Sequence, residues 1–259
     1  GEGQGEKLSL GEAARFLFQA PAVRFLAIMG LAQGVSTNIL EIAWKAQLRI
    51  LHPTPSAYAG FMGDVATFTG IVTLVMMFIS PVLFVRLGWA GAAAATPRIL
   101  QAGGVVFFGT SVVISLLNMG DLLSLAALKL VVLMGSALYI FSRAAKFSLF
   151  KPAEEMVYIG LDEESRTKGK AAVDVVASQA GKSGGSILQQ ALLVIFRGNL
   201  AAAVPVMAGM FFFVLSSWTG AVGKLSMLVF GEGFGKADGD HVQSEEGRGC
   251  AEVGNNAIA

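Results

Sequence analysis

Six long apolar runs, at approximately 24–43, 58–85, 99–117, 122–150, 171–196 and 199–222, limit what this chain can become more than any other feature. A run of about 18 or more apolar residues with few charges can cross a bilayer as a helix. In hydrocarbon every backbone N–H and C=O must be satisfied inside the protein, so such segments are helical. The first run is too long for the core of a secretory signal, and five more follow it. The overall balance agrees: 54% of the 259 residues are hydrophobic and only 14% charged, whereas a soluble domain carries about a quarter charged residues. The expectation is an all-α membrane protein with six transmembrane helices. Its surroundings are the lipid bilayer, and no nucleic-acid partner is expected.

The two ends are different material. Residues 1–20 read as an interfacial or disordered amino-terminal segment, and residues 225–259 as a disordered Gly-rich acidic tail. The six-helix unit is expected between them, over 21–224. The single cysteine, Cys250, has no disulfide partner, and the two histidines, His52 and His241, fall in a loop and in the tail. Neither a metal centre nor another cofactor is expected from so few ligands.

Basic residues between the runs orient the chain. With alternating crossings, Lys7, Arg15, Arg24, Arg86, Arg98, Lys151, Arg166, Lys168, Lys170 and Lys224 share one side, and mainly Lys45, Arg49 and Arg197 take the other. The positive-inside rule then puts both termini on the cytosol-like side. The runs also repeat weakly as three plus three: the first and fourth end in charge, the second and fifth carry Asp64 and Asp174 near their starts, and the third and sixth hold no charge inside. Such copies would be inverted, and inverted repeats place a substrate site between them near mid-membrane.

Charges inside apolar runs are costly and need a reason. Gln33, Thr37, Glu41 and Lys45 recur every four residues, along one face of the first run, with Asn38 one turn before Glu41. Glu41 and Lys45 admit two readings, an i,i+4 surface pair or functional charges. The fifth run carries Asp174, Ser178, Lys182, Ser186 and Gln189 as a polar stripe, with Gly181 and Gly185 at a spacing that lets a neighbouring helix or a ligand come close. Lys182, eight residues past Asp174, lies about 12 Å further along a helix. Arg143 and Lys146 close the fourth run, either as an ordinary basic flank or as helpers of Lys182.

The letters Gly181-Lys182-Ser183 suggest a phosphate-wrapping P-loop, but the required glycine five positions earlier is Val176. The flank GKAAVDVVASQA also reads as continuing helix, whereas that loop needs a strand before it.

Three stretches carry a resemblance: NILEIAWK (38–45), YAGFMGDVATFTGI (58–71) and SRAAKFSLFKPAEEMVYIGLDEESRTKGKAAVDVVASQAGKSGGSILQQ (142–190). They resemble the carboxy-terminal half of the plastid and intracellular-bacterial ATP/ADP translocases, with the similarity running from about Arg24 to Trp218. The resemblance implies one half of a major-facilitator-like twelve-helix carrier, a secondary antiporter rather than an enzyme, exchanging ATP for ADP by alternating access. It implies an amino-terminal six-helix half as partner, and the plastid (chloroplast) inner envelope as location, with a bacterial inner membrane as the alternative. By the same resemblance Glu41 is the acidic residue of the Asn-x-x-Glu segment that begins at Asn38. Lys182 is the lysine of the Gly-Lys-Ser-Gly-Gly segment, and Asp174, Lys168 and Lys170 belong to Lys-Gly-Lys-Ala-Ala-x-Asp. Lysine meets phosphate as a point charge that can also let go, which suits Lys182, with Arg143 or Lys146 assisting, to reversible exchange.

The chain departs from that family in carrying the second half alone, in Gly160 where a proline is usual, and in its glycine-rich tail. Two other classes stay open. One is a non-transporting scaffold or regulatory half-carrier; the other is a membrane-bound nucleotide hydrolase built on the acidic DEESR loop (162–166), which lacks an accompanying metal or nucleophile.

Overall fold

A computed structural model describes residues 20–116, 121–161, 163–179, 184–198, 200–229 and 231. All regular structure among them is helical: α1 (Pro21–Leu51), α2 (Pro55–Leu116), α3 (Asp121–Ala145), a π-helical turn (Lys146–Phe150), α4 (Lys151–Ile159), α5 (Glu163–Gln179), α6 (Gly185–Ile195) and α7 (Leu200–Val229).

Pro21 opens α1, where its absent N–H costs nothing because first-turn donors have no intrahelical acceptor. The helix stops where His52 donates its N–H to the Leu48 carbonyl at 2.8 Å and Pro53 comes next. Of its most apolar stretch 56% is buried, against 6% for α2, so α1 runs inside the bundle and α2 along its outside. It packs on α3, α5 and α7, and α2 covers α3, the π turn and α7.

The second and third apolar runs fall on one 62-residue helical element. At about 1.5 Å per residue, an unbroken rod of that length would greatly exceed the roughly 30 Å hydrocarbon core. Gly88 breaks it, with φ 68° and ψ 176°, a region of backbone space essentially confined to glycine. The first limb, 55–87, shows large apolar side chains on most of its surface, with Phe78 76% and Val85 85% exposed. In water that would be an aggregation surface; in a bilayer it is what lipid requires. The second limb, 89–116, turns Ala92, Ala93, Leu100, Phe107 and Phe108 inward.

The core forms where α1, α2, α3 and α7 meet. A Cβ at Gly135 would lie 2.5 Å from Trp44 and 2.8 Å from Phe107, so the bare backbone of α3 admits both rings. Gly104 does the same for Phe211, at 2.6 Å. The Trp44 indole N–H, fully buried, is shared between the Val132 carbonyl at 3.1 Å and the Ser136 hydroxyl at 3.0 Å.

Four described helical stretches are long and apolar enough to cross a membrane: Pro21–Leu51, Pro55–Ile114, Leu125–Ile159 and Ala202–Val229. Among the described residues, four such stretches thus stand where six spans are expected. The second and third share one kinked element, and the fifth corresponds to α5 and the short apolar α6, on either side of residues 180–183. Those four residues, like 1–19 and 232–259, lie outside the described ones.

Candidate functional site

The polar stripe of α1 faces other helices. Gln33 and Thr37 are buried, and the Thr37 hydroxyl donates to the Gln33 carbonyl at 2.8 Å. Its oxygen also lies 2.8 Å from the Ser142 hydroxyl on α3. A hydroxyl has one proton to give, so Ser142 is the donor across the helices. One turn on, Lys45 pairs with Glu41 at 2.6 Å, their side chains 31% and 24% exposed. The i,i+4 pair is thus formed, and it is partly buried. Glu41 has no other ion-pair partner among the described residues.

Asn38 meets the fifth run. A Cβ on Gly185 would stand 2.8 Å from its side-chain nitrogen, so α1 and α6 approach as closely as a glycine permits. Lys182, three residues before Gly185, lies outside the described residues, as do Gly181 and Ser183.

At the end of α3, the Arg143 guanidinium sits 5.5 Å from the Tyr139 ring centre, and Tyr139 stacks on Trp44 with centroids 4.9 Å apart. Tyr139 is also within electrostatic reach of Glu41, Lys45 and Tyr58. Arg143 thus packs over a ring that also lies within electrostatic reach of Glu41, a distant residue in the sequence. Lys146 opens the π turn with its ammonium 5.9 Å from the Phe147 ring, and it lies within electrostatic reach of Lys151, Arg143 and Glu154. A π turn takes up an extra residue, which rotates the helix after it relative to the helix before it. Here it is braced from α2: Pro152 has no N–H to offer the Ser148 carbonyl four residues back, and the Ser80 hydroxyl donates to that carbonyl instead.

Asp174 is 59% exposed on α5 and 4.0 Å from the Lys151 ammonium. Lys151 is held more closely by Glu154, at 2.7 Å, whose side chain is only 2% exposed. The Tyr158 hydroxyl lies 3.5 Å from the same carboxylate, and Lys170 grips Glu155 at 2.7 and 2.9 Å. Sequence reasoning did not single out Glu154 or its pairing with Lys151. The Lys-x-x-Glu-x-x-x-Tyr spacing of 151–158 was the available signal, since it stacks all three on one helix face.

Two groups of charge thus emerge, one around Tyr139 with Glu41, Lys45 and Arg143, and one between α4 and α5 with Lys151, Glu154 and Asp174. Lys146 is within electrostatic reach of Arg143 in the first and of Lys151 and Glu154 in the second.

Long helices with apolar outer faces, enclosing paired charges and buried polar side chains, define a polytopic α-helical membrane protein. The chain belongs to the TLC ATP/ADP transporter family, whose model matches residues 2–228. It is 41% identical over 219 residues to a plastidic ATP/ADP-transporter of Solanum tuberosum, covering 83% of this chain and 34% of the relative. To the chloroplastic ADP,ATP carrier protein 1 of Arabidopsis thaliana it is 38% identical over 85% of this chain and 35% of the relative. To ADP,ATP carrier protein 1 of Chlamydia muridarum it is 38% identical over 86% and 42%. The chain spans well under two thirds of the length of these curated relatives. No solved structure matches it.

Proposed function

We propose that this chain is the carboxy-terminal, six-helix half of an antiporter that exchanges ATP for ADP by alternating access. The family match over residues 2–228 carries this reading. In it, residues 21–229 form the transmembrane half, since α7 runs to Val229 and buries Leu225 past the expected boundary at 224; residues 1–20 are an interfacial segment, the tail follows α7, and an amino-terminal six-helix half is the partner. The two limbs of α2 each count as one span, and α5 with α6 supplies another.

In this reading Lys182 contacts nucleotide phosphate from the fifth run, and Asn38 supports it by holding α1 against Gly185 on that run. Arg143 and Lys146 add positive charge at the end of α3, and Asp174, on α5, is the acidic neighbour of Lys151 at 4.0 Å. Glu41 is the intramembrane acid that is released and re-paired as nucleotide comes and goes, with Lys45 as its resting partner at 2.6 Å. A cation in a water-poor helix interior attracts a polyphosphate far more than the same cation in water.

A plastid inner envelope is the proposed location, supported by the chloroplast relatives. The chlamydial relative supports the alternative, a bacterial inner membrane.

Proteoliposomes containing the complete carrier polypeptide test the reading. Labelled ATP should be taken up only when ADP is inside, and Lys182→Ala should abolish that uptake. Phosphate release would point to hydrolysis, and neither uptake nor release to a scaffold.

A further inference from the structure

Lys151 is held from two sides by carboxylates that differ in burial and in helix. Glu154, on its own helix, is almost fully buried and takes the ammonium at 2.7 Å. Asp174, on α5, is largely exposed and stands 4.0 Å away. An ammonium has three donors. Lys151 gives one to Glu154, and 4.0 Å to Asp174 is ion-pair distance but too long for a hydrogen bond. Its side chain is 42% exposed, so unused donating capacity faces the open side.

The two carboxylates are not equivalent. A buried carboxylate stripped of its cation is left uncompensated in a poor solvent, so Glu154 holds fast. An exposed carboxylate is solvated when alone, so Asp174 is the exchangeable member. Lys170 does not compete for either, being committed to Glu155. Lys146 lies within electrostatic reach of Lys151 and adds positive charge nearby. The site is therefore a cation with one fixed and one replaceable counter-charge.

We propose that Lys151 contacts the phosphate oxygens of a soluble polyphosphate, that Glu154 is its positioning residue, and that Asp174 is the counter-charge the phosphate displaces. This rests on the nucleotide-exchange reading and deepens it. Displacement of a weakly engaged carboxylate makes binding reversible, as exchange requires. Phospholipid headgroups offer the same phosphate oxygens, and the two sources separate experimentally.

The complete carrier polypeptide, purified into phosphatidylcholine nanodiscs, is titrated calorimetrically with tripolyphosphate and, separately, with ATP. Without the Glu154 charge, Lys151 falls onto Asp174, and Glu154→Gln should weaken both ligands about tenfold, the worth of one charged hydrogen bond. Asp174→Asn should tighten them about threefold, and the double variant should return to within about threefold of the parent. Glu155→Gln, a control for lost negative charge, should stay within about twofold. A simple field effect would tighten every variant. A packing role for Glu154 would lower the unfolding temperature and leave Asp174→Asn without effect. Either pattern, or no tripolyphosphate binding by the parent, overturns the proposal.

If Glu154→Gln does not fold, Asp174→Asn decides alone, and unchanged affinity is fatal. Should the Asp174→Asn effect arise only with phosphatidylglycerol in the disc, uncontested by tripolyphosphate, the ligand is a lipid headgroup and the assignment is wrong. The expected binding pattern without ATP/ADP exchange would sink the transport reading and leave the site standing; exchange without the pattern would do the reverse.

Discussion

The side chain of Asn38 rests against the backbone of Gly185, with its nitrogen where a methyl group would come to 2.8 Å. This contact joins the polar face of α1 to the fifth apolar run. Gly185→Ala must displace the Asn38 amide, at about 1 kcal/mol, the low end for overpacking because the obstruction is the end of a side chain. Asn38→Ala in the same chain removes the obstructing atoms and should recover most of the loss. Thermal unfolding of the three variants in detergent checks this; a double variant no more stable than Gly185→Ala would mean that the clash lies elsewhere.

Gly88 makes a cleaner case, because nothing lies within 4 Å of where its Cβ would be. Any penalty at Gly88→Ala is therefore backbone strain at φ 68°, about 1–3 kcal/mol. Gly109→Ala, also in open space but without positive φ, should be neutral or stabilising by up to about 1 kcal/mol, as expected inside a helix. Equal effects at the two positions would show that Gly88 is not the break.

Ser80 supplies a donor that Pro152 cannot. Ser80→Ala should cost about 0.6–1.7 kcal/mol, the range for polar contacts between membrane helices. Pro152→Ala restores a backbone N–H to the Ser148 carbonyl, so the double variant should lose less than the two single losses summed. Additive losses, read from unfolding midpoints, would contradict the shared acceptor.

For Glu41 stability and function should part company. Its pair with Lys45 is of the i,i+4 type, worth a few tenths of a kcal/mol in isolated helices, so Glu41→Gln should barely move the unfolding midpoint. Exchange of ATP for ADP by the complete carrier should fall about tenfold or more if the carboxylate re-pairs during transport. Normal exchange by a folded Glu41→Gln protein would end that assignment.

Much of the fold is visible along the chain because hydropathy accumulates locally. The first and sixth runs lie within α1 and α7, and the fourth within α3 and the π turn. The junction between the second and third is less legible. Arg86 and the small residues of 90–96 interrupt the apolar signal there, although helix resumes directly after Gly88. Ala92, Ala93 and Ala94 are buried in that interval, where small side chains serve close packing and add little hydropathy.

The candidate site divides in the same way. Glu41 is conspicuous because a carboxylate inside an apolar run is expensive, and its spacing to Lys45 predicts the pair that forms. Glu154, by contrast, looks like one of two acids beside a basic flank; its spacing to Lys151 and Tyr158 sets it on their helix face, but no local feature shows that this face is the buried one. Only the arrangement of α4 against its neighbours buries one and leaves the other outside.

By itself, the sequence determined the solvent of this protein, its all-helical build, the family to which it belongs and most of the charges worth testing. These come from sums over contiguous residues, or from motifs read in order. The tertiary structure alone decided that Asn38 meets Gly185, that Ser80 serves the Ser148 carbonyl, that Arg143 and Glu41 share Tyr139, and that Lys151 stands between a buried and an exposed acid. Each depends on which helices touch and on how far each is rotated about its axis. A kink at Gly88 and a π turn at Lys146–Phe150 alter that rotation without leaving a mark on hydropathy.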